Sequence, residues 1–90
     1  MKLQEFKYIK QNGQQSQRAV VVVQEPQHLV GGIDVTELDE SDFALFINEY
    51  REIKNRQHQE VMQLMAKHDL KHNYRQFKPE NMTNVETTLV

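Results

Sequence analysis

One segment of the chain combines positive charge with aromatic rings, a composition suited to pairing with phosphates and stacking on bases. Between residues 67 and 78, four lysines or arginines stand against a single carboxylate, and two aromatic residues lie among them. This pattern is typical of a platform for single-stranded nucleic acid or a nucleotide. It is also typical of a solvated helix end, or of a basic surface that meets an acidic surface on a second chain. The candidate ligand-binding residues are Lys67, Lys71, His72, Tyr74, Arg75, Phe77 and Lys78.

Histidines, carboxylates and serines are the residues of this chain that could act as catalytic or metal-binding groups. His68 and His72 are four residues apart, but Asp69 stands where the zinc motif H-E-x-x-H has glutamate. The carboxylates between residues 34 and 42 lack the EF-hand pattern and suit the positive end of a helix. Neither serine lies in a nucleophile elbow. We therefore expect no catalytic residue, no metal site, no cofactor and no enzymatic activity.

Composition narrows the class of protein further. A chain of 90 residues forms one domain at most. Its net charge of −2 argues against a generally basic binder of nucleic acid or membranes. The absence of cysteine excludes disulfides and thiolate zinc sites. No apolar run reaches the roughly 18 residues of a membrane span, and the chain does not begin with a signal-peptide core. We expect a soluble, cytoplasmic protein that does not contact membranes.

A β-hairpin is predicted over residues 2–24. Phe6 and Tyr8 share one face of the first strand, and Asn12-Gly13 suits a two-residue type I′ turn. The four valines at 20–23 indicate a second strand that is covered on both faces. Pro26 is expected to end it, because proline has no N–H for the strand ladder. Gly31-Gly32 is expected to form a turn, and the residues that flank it are expected to form a short third strand or an irregular crossing.

A single long helix is predicted over residues 39–69, because apolar residues recur at steps of three and four and no glycine or proline interrupts them. The polar stretch at 54–60 divides this stripe into two halves. Either the helix breaks near Asn55, or its second half packs against another chain, which is the interpretation we favour. The predicted self-association residues are Val61, Leu64, Met65 and His68.

Together these elements predict an α+β fold in which an antiparallel hairpin, with three or four short strands in all, packs on one long helix. The expected segments are a hairpin and third strand over 1–35, the helix over 39–69, and an extended return over 70–90 that ends in a possible last strand. The last segment is β-branched at several positions, which favours a strand.

Four short patterns lie in the strand-like parts of the chain, namely Phe6-Lys7-Tyr8-x-Lys10-x-Asn12-Gly13, Ser16-x-Arg18-x-Val20, Tyr74-Arg75-x-Phe77-Lys78 and Met82-x-x-Val85. Their order resembles that of small WYL-like domains. The resemblance implies a compact SH3- or Sm-like sheet and a nucleic-acid or nucleotide ligand. It also implies an accessory protein of a bacteriophage, acting in the host cytoplasm.

The function we expect is non-enzymatic binding by a phage-type accessory or regulatory protein. It would act through a protein partner of unknown identity and would self-associate, most simply as a homodimer. The alternative is a module that binds nucleic acid or a nucleotide through the segment at 67–78.

Overall fold

The computed structural model describes residues 1–25 and 28–90, and in this part of the chain it forms a five-stranded antiparallel sheet with two helices. The elements are β1 (Lys2–Ile9), β2 (Gln15–Gln24), β3 (Val30–Asp34), α1 (Glu40–Ile53), α2 (His58–Lys67), β4 (Tyr74–Phe77), a 3₁₀ turn (Pro79–Asn81) and β5 (Met82–Leu89). The strands lie side by side in the order β4-β3-β2-β1-β5, so the first and last strands are neighbours. The expected count of three or four strands was too low.

The predicted hairpin is present, but its turn differs from the prediction. β1 and β2 pair from Lys2 opposite Val22 to Ile9 opposite Gln15. The backbone N–H of Gly13 donates to the Lys10 carbonyl at 2.9 Å, and Gly13 alone in the loop has a positive φ, of 83°. This is a three-residue loop that ends in a left-handed glycine, so the two-residue type I′ turn was wrong. The prediction that Pro26 ends β2 lies outside the described residues.

The sheet is strongly curled. Phe6 in β1 and Phe77 in β4 are three strands apart in the sheet order, which in a flat sheet would separate them by about 14 Å. Their ring centroids are 5.2 Å apart, and Phe77 also meets Tyr8 edge to face at 5.0 Å. The concave face therefore closes on itself around a small cluster in which Phe6, Val20 and Phe77 are buried.

The convex face carries both helices and the larger core. Successive side chains of a strand point to opposite faces, so Val20 lies in the concave cluster and Val21 lies under the helices. Both valines are fully buried, so β2 is covered on both faces at this point, whereas Val23 is 43% exposed. The buried residues of the larger core are Val21, Ile33, Val35, Phe46, Ile47, Tyr50, Leu64, Met65 and Leu70.

The single helix predicted over 39–69 is wrong, because the chain breaks into α1 and α2 at residues 54–57. Asp39 is the N-cap of α1, and its carboxylate accepts a hydrogen bond from the Asp42 N–H at 2.8 Å. A straight helix over the predicted range would be about 46 Å long, whereas the largest extent of the molecule is 35 Å. A break among exposed polar residues leaves backbone groups that water can satisfy, and it allows α2 to fold back onto the sheet.

This fold-back removes the premise of the predicted helix-mediated dimer. Leu64 and Met65 are 6% and 2% exposed, because they belong to the core of their own chain. Val61 and His68 are partly buried beside them. The apolar stripe of α2 is therefore covered without a second copy. Self-association itself stays a prediction, and it needs a different surface.

β3 contains Gly31 and Gly32, and all five of its residues are buried. Gly32 allows β2 and β3 to approach closely, since a Cβ atom there would lie 2.2 Å from the carbonyl oxygen of Val21. A Cβ atom on Gly31 would instead meet the hydroxyl of Tyr74 at 3.0 Å. The Gly-Gly pair is thus part of a strand rather than the turn that its sequence indicates.

Candidate functional site

β4 divides the predicted ligand-binding segment between the two faces of the sheet. Its alternation places Arg75 and Phe77 on the concave face, where Phe77 is buried in the aromatic cluster. Tyr74 lies on the convex side, where it lines an apolar cavity of about 250 Å³ together with Tyr50 and Val61. Tyr74 and Arg75 therefore do not contribute to one binding surface.

The predicted lysines Lys67, Lys71 and Lys78 lie outside β4, and all three are exposed. The Lys67 ammonium contacts the carboxylate of Glu49 across the two helices at 3.0 Å. That hydrogen bond lowers the pKa of the Glu49 carboxyl. Lys71 and His72 are exposed in the turn that precedes β4. Of the seven predicted residues, Arg75 and Phe77 contribute to the site described next.

Two arginines on the concave face share one buried carboxylate. Asp34, at the end of β3, is 2% exposed. Its Oδ2 atom accepts a hydrogen bond from Nη1 of Arg18 at 3.2 Å and lies 3.5 Å from Nε of Arg75. Arg18 and Arg75 come from β2 and β4, the two strands that flank β3. The carboxylate therefore forms an ion pair with both guanidinium groups.

Asp34 is itself held firmly by the backbone and by Thr36. Its Oδ1 atom accepts hydrogen bonds from the Thr36 N–H, at 3.0 Å, and from the Thr36 hydroxyl. The backbone N–H of Asp34 donates to the Asn73 carbonyl at 2.8 Å, and the Asn73 amide donates to the Asp34 carbonyl at 3.0 Å. A buried carboxylate needs this kind of satisfaction to remain charged. The result is a rigid anchor for both arginines.

The arginines open onto a groove of about 350 Å³ on the concave face, called here the arginine groove. Its lining residues are Tyr8, Lys10, Arg18, Arg75, Gln76 and Phe77. Three of these residues are cationic, whereas the carboxylate of Asp34 supplies one negative charge, so the groove keeps an excess of positive charge. The volume is in the lower part of the range for small-molecule sites, about 300–1,000 Å³.

The arginine groove offers unused hydrogen-bond donors. The Arg18 side chain donates from Nε to the Ser16 hydroxyl at 3.3 Å and from Nη1 to Asp34. Within the described part of the chain, its Nη2 atom and both Nη atoms of Arg75 have no hydrogen-bond acceptor. The side chain of Arg75 is 50% exposed. Such an arrangement can bind a planar or tetrahedral anion through parallel N–H donors.

The sequence did not identify Tyr8, Lys10 and Arg18 as site residues, because they come together with Arg75 across neighbouring strands and not within one segment of the chain. One signal was available in the sequence. Asp34 follows the apolar residues of a buried segment, and a carboxylate in that position requires cationic or N–H partners. The concave face of the flanking strands is where such partners lie.

Residues 1–25 and 28–90 contain no group of three or more histidines and carboxylates placed to hold a metal ion. In the same residues, no helix is both long and apolar enough to cross a membrane.

No protein-family model, curated protein or solved structure matches the chain. We therefore infer function from the geometry of the arginine groove.

Proposed function

We propose that the protein is a non-enzymatic binding module whose ligand carries phosphate and an aromatic base, either as a nucleotide or as a single strand of nucleic acid. The main support is the pair of guanidinium groups that one buried carboxylate holds over the arginine groove. Guanidinium groups match phosphate oxygens in geometry and charge. The partly exposed ring of Tyr8, at the same groove, offers a surface on which a base can stack.

The charge of the groove supports binding beyond a purely structural ion pair. One arginine would neutralise Asp34, yet the groove holds a second arginine and Lys10 as well. The chain as a whole has a net charge of −2, so this positive region is local. A local cationic groove in an acidic protein attracts an anion to one place rather than to the whole surface.

Fluorescence anisotropy tests this function with a labelled oligothymidylate and a fluorescent ATP analogue at low salt. Arg75→Gln removes one guanidinium from the groove, and Arg51→Gln removes the same charge from the exposed surface of α1. We expect Arg75→Gln to weaken binding about tenfold, equivalent to about 1.4 kcal/mol. Arg51→Gln should change it less than twofold.

The two probes separate a nucleotide ligand from a single strand. A strand that crosses the groove should show affinity falling with salt, and Arg75→Gln should reduce the slope by about 0.7 per lost phosphate contact. A free nucleotide should compete with the strand. Failure of the wild-type protein to bind either probe at low salt would refute the proposal.

Asp34→Asn distinguishes a built site from general electrostatic attraction. The substitution makes the net charge one unit more positive, so general attraction predicts tighter binding to an anion. The anchored arrangement predicts weaker binding, because the Arg18 and Arg75 side chains lose the group that positions them. Circular dichroism of the variant checks that the sheet is intact. Tighter binding by a folded Asp34→Asn variant would contradict the positioning role of the carboxylate.

Action through a protein partner, in a bacteriophage or elsewhere, stays a prediction, as does the resemblance to WYL-like domains. The genes that adjoin the coding sequence would test the phage role, and affinity capture from the native host would test the protein partner. Neither experiment depends on the arginine groove.

A further inference from the structure

β5 leaves one side of its backbone unpaired at the edge of the sheet. It pairs with β1 on one side, and no described strand lies on the other. Asn84 has a φ of 53°, close to the place where the register between β1 and β5 shifts. Beyond this irregularity, Val85 to Leu89 form an extended edge with side chains that are exposed on both faces.

The edge lacks the features that usually prevent a strand from pairing with another chain. Exposed edge strands are commonly protected by lysine, proline or a bulge. From Val85 to Leu89 there is no lysine or proline, and the single charged residue is Glu86. Leu89 is 81% exposed and Val85 is 45% exposed. β4, at the opposite edge, is four residues long and is followed by a lysine and a proline.

We propose that the β5 strands of two copies pair antiparallel about a two-fold axis at Thr87, which gives a homodimer with one continuous sheet. This surface takes the place of α2 as the contact between copies. The inference is independent of the arginine groove, because none of the residues that line the groove belongs to β5. A second copy fits this edge because the register centred on Thr87 is self-complementary, places no like charges directly opposite each other and uses all five regular residues of the strand.

The register follows from the symmetry of an antiparallel pair. Hydrogen-bonded and non-hydrogen-bonded pairs alternate along the ladder, so a two-fold axis must place one residue opposite its own copy. An axis at Glu86 would place two carboxylates opposite each other, which is destabilising. An axis at Thr87 instead places Val85 opposite the partner's Leu89 and uses all five regular residues of each strand.

Single cysteines test the register directly, since the chain has none of its own. With the axis at Thr87, the two copies of residue 87 have Cα atoms about 4.5–5.5 Å apart, within the range of about 4.4–6.8 Å that a disulfide spans. Val85 lies on the same face and is also exposed. Its two copies would be about 14 Å apart along the strands. Thr87→Cys should therefore form a disulfide-linked dimer under mild oxidation, and Val85→Cys should not.

Sedimentation tests the dimer without cross-linking. Thr87→Lys places two ammonium groups opposite each other at the axis and leaves the backbone pairing with β1 in place. We expect wild type to dimerise and Thr87→Lys to be monomeric, with melting temperatures measured at low, equal concentration that agree within error. Three results would each overturn the proposal: a monomeric wild type at about 0.5 mM, equal cross-linking of Thr87→Cys and Val85→Cys, or an unchanged dimer of Thr87→Lys.

Discussion

Replacing Gly32 with alanine tests how closely β2 and β3 approach each other. The new Cβ atom would lie 2.2 Å from the Val21 carbonyl oxygen and 2.8 Å from Cγ1 of Val20. Relieving these contacts requires the strands to separate by about 1 Å, which lengthens hydrogen bonds of about 2.9 Å beyond their useful range. The loss of two such bonds costs about 2–3 kcal/mol, and overpacking of the core adds about 1 kcal/mol.

Restriction of the unfolded chain by alanine offsets at most about 1 kcal/mol of that cost. The net loss is therefore about 3 kcal/mol, which lowers the melting temperature of a domain of this size by about 12–24 °C. Thermal unfolding followed by circular dichroism measures the change. If the Gly32→Ala variant does not fold at all, that result also agrees with the expected loss of stability.

Gly31→Ala is the matched control, because it makes the same substitution one position earlier in the same buried strand. The nearest atom to the new Cβ is the Tyr74 hydroxyl at 3.0 Å, at the far end of a partly exposed side chain that can move. We expect Gly31→Ala to cost less than about 1 kcal/mol. Equal melting temperatures for the two variants would show that β2 and β3 are not in the close contact described.

Three further predictions concern the turn, the core and the buried phenol. Gly13→Val should cost at least about 1 kcal/mol, because Gly13 has a φ of 83° that a β-branched residue resists, and urea unfolding would measure it. Leu64→Ala should cost about 2–5 kcal/mol in the same assay, whereas Leu45→Ala, at a position 56% exposed, should cost less than about 0.5 kcal/mol. Burial raises the pKa of the Tyr50 phenol above 10.0, so the unfolded state loses its proton first and stability should fall as the pH rises above that value. The free energy of unfolding, measured from about pH 8 to pH 11, should show this loss in wild type. The Tyr50→Phe variant should lack this contribution to the pH dependence.

The local features of the fold were predictable from the sequence, and the long-range features were not. Alternating side chains and the position of Gly13 predict the hairpin, because strand and turn preferences act over a few residues. The break between α1 and α2 has no local breaker residue. It is set by the width of the sheet, on which a straight helix could not bury Leu64 and Met65.

The site shows the same division between local and long-range information. Arg75 and Phe77 were found because they lie in a segment with a distinctive composition. Arg18 was missed because it meets Arg75 only through Asp34, and that meeting requires the register of three strands. The curl that brings Phe77 to Phe6 likewise depends on the whole sheet, so no short segment of the sequence contains it.

The pairing of the first strand with the last also has a kinetic consequence. Lys2 lies opposite Leu89, so this contact closes almost the entire chain into a loop. Closing such a loop costs about 2–3 kcal/mol more in chain entropy than closing the β1–β2 hairpin. β5 should therefore dock late, after the other strands have assembled, and folding should take milliseconds to seconds rather than microseconds. During that interval β1 has an open edge, and at high protein concentration the β5 strand of a neighbouring chain can fill it, so that refolding competes with strand exchange.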